Sequence, residues 1–169
     1  MTTCFTLPFA QQFLEKKFAP WIIDLKPKLI ICDRGTAQME IPISPHIQRV
    51  GGIVCGQAMG ALADTFMVFA CFSHMNKLLP VATTTLDTQF LRSAMGVTLT
   101  CNAKVERAGK AIFFLSAALI TNPNDKVVAK STATFYLAQK SFFILVATSF
   151  AKRLQTPIVI GQRSNISRK

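Results

Sequence analysis

Apolar and polar positions follow two distinct rhythms along the chain. Residues 28–34 (KLIICDR) and 36–43 (TAQMEIPI) read as two strands with Gly35 as the turn residue between them. Val81–Arg92 is β-branched and alternating, and Val97–Arg107 places Val97, Leu99, Cys101, Ala103 and Val105 on one side. Lys110–Thr121 and Lys126–Leu137 form a hairpin across Asn-Pro-Asn-Asp, with Ala108-Gly109 turning the preceding pair. Two stretches depart from this period of two. Residues 8–19 (PFAQQFLEKKFA) read as a short amphipathic helix: Pro8 suits its first turn, Phe9, Phe13 and Leu14 share a side, and Pro20 ends it. Ser44 to Val50 reads as loop.

The other exception is Val50–Asn76, VGGIVCGQAMGALADTFMVFACFSHMN, apolar nearly throughout and free of proline. A glycine-rich opening (Gly51, Gly52, Gly56) precedes a helix from about residue 55 to 76, favoured by Ala, Met, Leu and Phe. It would be ~33 Å long and, apolar on all sides, is expected to be buried. One carboxylate in its middle and polar residues at its ends argue against a membrane span. Helix, two strands, long helix, four strands: the natural solution is an α+β fold with an antiparallel sheet wrapped around one apolar helix.

Composition narrows the field. With 169 residues, half of them apolar, the chain is expected to form one domain with a sizeable core. The formal charge of +11 is weighted toward the end of the chain. Residues 139–169 hold six basic residues and no acid, leaving 13 basic against 8 acidic residues in 1–138. The basic residues of that first part are spread out, unlike a nucleic-acid groove, so no nucleic-acid partner is expected. A modest positive field suits a small phosphorylated ligand. Cys4, Cys32, Cys55, Cys71 and Cys101 are scattered and odd in number, which suits buried thiols in a reducing compartment better than a disulfide framework. His46 and His74 lack partners at metal-ligand spacing, so no metal is expected. No presequence pattern opens the chain, giving a cytoplasmic expectation.

Asp64 is the chemical question. Burying an unpaired carboxylate costs several kcal/mol, so Asp64 either finds partners or solvent, or faces a cleft and does acid–base or nucleophilic work. Gly56, eight residues earlier, lies near the helix start, where backbone N–H groups are unpaired and the helix dipole is positive. An oxyanion can sit there. Eight steps of ~100° bring Asp64 to within ~80° of the same face, so it is expected to act on a carbonyl held at the helix tip.

CGQAMGALADT, followed some twenty residues later by TTTLDTQFLRSA, resembles the hotdog-fold acyl-CoA thioesterases, in particular their PaaI-like branch within the 4-hydroxybenzoyl-CoA thioesterase superfamily. Many members carry His-Gly-Gly, about seven residues, then an acid on the central helix. Aligning Asp64 with that acid puts Cys55 at the His, Gly56 at the first Gly and Gln57 at the second; an Asn often found upstream falls on Arg49. The resemblance spans residues 1–138 and leaves 139–169 as a basic extension of unassigned role. That extension could be a docking helix, an edge strand, or a segment touching a membrane surface.

The resemblance implies a hydrolase splitting an acyl-CoA into free acid and coenzyme A, with no cofactor beyond the coenzyme A of the substrate. Asp64 would be nucleophile or general base, and the N–H groups of Gly56 and Gln57 the oxyanion donors. Thr83 would orient water. Cys55 and Thr84 would touch substrate. Arg92, Arg107 and Lys110 would face the coenzyme A nucleotide, where arginine suits phosphate oxygens. Arg49, near the reacting group, would stabilise the oxyanion, pair with Asp64 or recognise a carboxylate on the substrate. It also implies a dimer, or a dimer of dimers, joined through the edge strand near Thr83–Arg92 with the acyl pocket between subunits; an exposed edge is an association liability unless paired. A non-catalytic acyl-CoA-binding hotdog protein and a hotdog hydratase or dehydratase remain alternatives, since fold alone does not select among them.

Overall fold

The structure, a computed structural model, describes residues 5–138. The basic extension from residue 139 and Cys4 therefore lie outside the described residues. Strands β1 (Lys28–Asp33) and β2 (Thr36–Pro42) are followed by a small hairpin, β3 (Gln48–Arg49) and β4 (Ile53–Val54). Then come β5 (Val81–Phe90), β6 (Thr98–Ala108), β7 (Ile112–Asn122) and β8 (Lys126–Leu137). Three helices, α1 (Leu7–Lys17), α2 (Pro20–Asp24) and α3 (Gly56–Met75), complete the order. The six long strands form one antiparallel sheet, β1-β2-β6-β7-β8-β5, that curves around α3. This is the hotdog arrangement.

Strand alternation sets the inner face. Leu99, Cys101 and Ala103 of β6, Phe113, Leu115, Ala117 and Leu119 of β7, and Ala133 and Phe135 of β8 are all buried. They meet Leu62, Phe66, Met67 and Phe69 of α3, none of which retains exposed surface. Each such side chain contributes ~1.5–3 kcal/mol by leaving water. Aromatic edges join α1 to α3, with Phe5 and Phe13 against Phe72 and Phe18 stacked on Phe69 at 5.2 Å between centroids. Ser73 fastens the far end of α3: its hydroxyl accepts from the Gly35 N–H at 3.0 Å, and Gly35 turns the β1–β2 hairpin at φ +84°. Asn76 closes the helix in the left-handed conformation, φ +51°.

Three details differ from the sequence expectation. Pro20 does not only end a helix; it begins α2, because proline is as good at a first helical position as it is bad inside one. The expected loop at Ser44–Val50 contains a 3-10 turn (Pro45–Ile47) and strand β3, paired through Arg49 and Gln48 to β4. Finally, α3 is not buried all round. Gly56, Gln57, Gly60, Ala61, Asp64 and Val68 stay open or half-open and share one sector of the helix. The sheet offers one concave face, and its last strand does not reach over that sector.

The two sheet edges are treated differently. β1 is covered by α1, whose Gln11 carboxamide oxygen accepts from the Leu29 N–H at 2.9 Å. At the other end β5 has no neighbour on its outer side among the described residues. Every one of its residues is exposed or half-exposed, including Leu86 and Phe90.

Candidate active site

The open face of α3 and the open edge β5 lie side by side, and two contacts fix them to each other. At one end the Thr83 hydroxyl donates to Asp64 Oδ1 at 2.7 Å. At the other, the Phe90 ring stands over the first turn of α3, so that a Cβ built on Gly56 would come within 3.2 Å of Phe90 Cζ. Thr83 and Phe90 both point inward because their β8 partners, Phe135 and Ala129, are themselves core residues. A bulge between Thr83 and Thr85 sets that orientation at the Asp64 end. Asp64 is half-buried and acidic, and Thr83 supplies it with a short hydrogen bond in the range of charge-assisted pairs.

The tip of α3 is held from both sides by backbone hydrogen bonds. Cys55, its N-cap residue, donates its N–H to Ile47 O at 2.8 Å, and Val54 donates to Ala94 O at 2.9 Å. No side chain caps the helix. The N–H groups of Gly56 and Gln57 open the first turn, have no carbonyl one turn back to bond, and carry the positive end of the helix dipole. They can receive a developing negative oxygen. The tight turn before them uses Gly51 and Gly52 at φ +88° and +72°, a conformation that side-chain-bearing residues rarely take.

The expected residues do not all come together. Gly56, Arg49 and Arg92 line one cavity of about 340 Å³ with Met59, Phe90 and Ala94. Cys55 and Gln57 line another, of about 610 Å³, on the α2 side of the helix tip with Trp21, His46 and Ala58. Thr84 is engaged elsewhere, its hydroxyl donating to Thr134 O at 2.8 Å. Arg107 and Lys110 belong to the β6–β7 turn, which lies by register beside Tyr136 and the start of β5. That is the sheet end opposite to Arg92 and the α3 tip.

One expectation needs correcting within the single chain. Asp64 is eight residues along α3 from Gly56, an axial separation of ~12 Å at ~1.5 Å per residue. A carboxylate there cannot reach a carbonyl bound at its own helix tip, even though the two positions share a face. Two participants escaped the sequence reading. Phe90 carries no local signal for its place, because its position over Gly56 is a tertiary contact. Trp21, more than half exposed, carried no local signal at all.

Comparison with known proteins bears on this geometry. Residues 51–128, from the turn before α3 into β8, match the family model described as Thioesterase superfamily. The Thermoplasma acidophilum protein named "Putative esterase Ta0293" is 23% identical over 131 residues, which is 76% of this chain and 98% of that protein. Among solved structures, the E. coli PaaI protein from the phenylacetic acid degradation operon is 23% identical with a TM-score of 0.68, covering 77% of this chain and 91% of that one. The Haemophilus influenzae thioesterase HI1161 is 17% identical with a TM-score of 0.72, covering 82% and 94%. At such identities the structural likeness speaks for the fold.

Proposed function

Taking the chain as a hotdog protein whose residues 51–128 are those of the thioesterase superfamily, we propose that it hydrolyses an acyl-CoA thioester at a site shared by two copies. The observation that carries this reading is the open strand β5, tied at Thr83 to the carboxylate and at Phe90 to the helix tip. A two-fold antiparallel pairing of β5 with itself over Val81–Phe90 sets Val81 opposite Phe90 and Thr83 opposite Thr88. The partner subunit's Thr83, and with it Asp64 of the partner subunit, then arrives beside Phe90 and Gly56. The ~12 Å that separates Asp64 from its own helix tip is thereby bridged across the interface.

The chemistry follows. The thioester carbonyl oxygen lies against the N–H groups of Gly56 and Gln57, which stabilise the charge that develops as the tetrahedral intermediate forms. Asp64 of the partner subunit attacks the carbonyl carbon, or takes a proton from the water that does. In either course the carbon–sulfur bond breaks and the coenzyme A thiolate leaves, taking up a proton that water supplies. After direct attack the acyl group is held on Asp64 as a mixed anhydride, which water then hydrolyses to the free acid and the regenerated carboxylate. Thr83 holds the carboxylate in one orientation through the 2.7 Å bond. Leu86 and Phe90, apolar and exposed in the single chain, are covered in the pair. A non-catalytic acyl-CoA-binding role is the second reading, favoured by Cys55 standing in place of the family histidine.

The test is complementation. Asp64→Asn chains keep an intact helix tip, and Gly56→Val chains keep an intact carboxylate while displacing Phe90. Each homodimer is expected to be inactive by thiol release from an acyl-CoA panel. Mixed and allowed to exchange subunits, they form heterodimers with one whole site, restoring about one quarter of wild-type turnover. Exchange without recovered turnover refutes the shared site; no turnover by the wild type itself favours the binding role.

A further inference from the structure

We infer that the cavity between Arg49 and Arg92 takes a carboxylate on the acyl group of the substrate, so that the preferred thioesters are those of short dicarboxylic acids. The inference rests on the thioester reading for the identity of the ligand, and on the cavity alone for its charge.

Arg49 stands on β3 and Arg92 just beyond β5, yet both line the same cavity beside Gly56. No aspartate or glutamate lines it. Among the described residues, neither arginine makes an ion pair; the two ion pairs are Arg34–Asp33 and Lys104–Glu106. In the single chain the two arginines share this cavity with no carboxylate, which favours an anion there; in the proposed pair Asp64 of the partner subunit arrives beside Gly56 and Phe90 and is the competing anion. Guanidinium presents a fork of donors that matches a carboxylate, which a lysine ammonium does not.

The backbone under both arginines is fixed. The β3–β4 turn is closed by Gly52 N–H to Arg49 O at 3.1 Å and by the Gln48 carboxamide to Gly52 O at 3.0 Å. Val54 N–H to Ala94 O ties this hairpin to the segment carrying Arg92. Leu91 and Arg92 both donate their N–H groups to Val128 O, at 2.9 and 3.3 Å, which anchors that segment to β8. Preorganised donors on two anchored loops cost little further ordering when a ligand arrives.

The rest of the lining mixes the apolar side chains of Ile53, Met59, Phe90 and Leu91 with Ser93. Two arginines together with several apolar side chains suit a short methylene chain ending in a carboxylate. The volume, about 340 Å³, is enough for such a chain.

The experiment reads binding separately from turnover. S-carboxybutyl-CoA and S-pentyl-CoA are thioethers of equal chain length that cannot be hydrolysed, and their pantetheine counterparts lack the nucleotide phosphates. Calorimetric dissociation constants for all four are measured with the wild type, Arg49→Ala and Arg49→Lys. The wild type is expected to prefer the carboxylated member of each pair by about tenfold or more, the scale of a hydrogen-bonded charge. Arg49→Ala is expected to lower that preference about tenfold in both pairs, and Arg49→Lys to restore only part of it. This result upholds the inference even if no thioester is hydrolysed, in which case it is the hydrolase reading that fails. A wild-type preference near one overturns the inference. So does an Arg49→Ala loss that is equal for both CoA ligands and vanishes with pantetheine, which would assign the arginines to nucleotide phosphates. Equal loss in all four ligands, with a shifted pH–rate profile, overturns it in favour of Arg49 serving Asp64.

Discussion

The bond between Thr83 and Asp64 can be taken apart quantitatively. At 2.7 Å it joins a neutral donor to a carboxylate, a class worth ~1.5–3 kcal/mol net when water is excluded. Asp64 is half-buried and Thr83 is exposed on an edge strand, so the lower end applies, about 1.4 kcal/mol or tenfold in rate. Thr83→Val keeps the β-branched shape and strand preference while deleting the hydroxyl. Its kcat/KM in a thiol-release assay should fall about tenfold, mainly through kcat, and Thr83→Ser should recover most of that. Asp64→Asn keeps size and helix fit but removes the charge, and should cost ~10²-fold or more. The double variant decides the matter. If Thr83 acts only by holding the carboxylate, adding Thr83→Val to Asp64→Asn should cost less than about threefold further, a coupling of roughly 1 kcal/mol. A full tenfold further loss in the Asp64→Asn background would show that Thr83 works independently of Asp64. Near-wild-type turnover of Asp64→Asn would remove Asp64 from the reaction altogether.

Further outcomes follow from the fold. Gly60 has nothing within 4 Å of a Cβ placed on it, so Gly60→Trp should leave the chain folded by circular dichroism while, on the proposed two-copy site, shifting sedimentation to the monomer and abolishing turnover. Phe66 is fully buried between helix and sheet, and Phe66→Ala should lower unfolding free energy by ~3–5 kcal/mol in urea titration. Burial pushes the Cys32 and Cys71 thiols from the usual value near 9 up to about 12, and that of Cys101 higher still. These groups stay protonated in the folded chain after they ionise in the unfolded one. Their stabilisation is therefore complete below pH 9 and declines as pH rises from 9 toward 12, with a slope approaching ~1.4 kcal/mol per pH unit for each thiol. The urea midpoint should fall across that window, and less steeply in Cys71→Ala. Residue-resolved alkylation of the native protein should modify half-exposed Cys55 well before buried Cys32, Cys71 and Cys101.

The sequence by itself determined the elements whose physics is local and repeated. Alternation over ten or more residues marked β5 to β8 within two residues of their observed ends, and an uninterrupted apolar run marked α3 with Asp64 inside it. It also contained the resemblance that named the fold, carried by Gly56, Asp64 and the Leu-Ala-Asp-Thr and Phe-Leu-Arg stretches, although Cys55 and Gln57 depart from the family pattern. Short elements were not legible: β3 and β4 have two residues each, too few to show a period, and α2 is a single turn. Nor was partnership. The resemblance pointed to the strand near Thr83–Arg92 as an edge, but that it pairs with β8, and that α1 covers β1, follows from which surfaces meet after the chain closes, and no stretch of sequence contains both sides of such a contact. The same holds for Thr83 on Asp64, Phe90 over Gly56, and Arg49 beside Arg92. Helical angle placed Asp64 and Gly56 on one face, but the rise of the helix puts them two turns apart. The resemblance put the acyl pocket between two copies; the tertiary structure adds that the bare edge strand touches both Asp64 and Gly56.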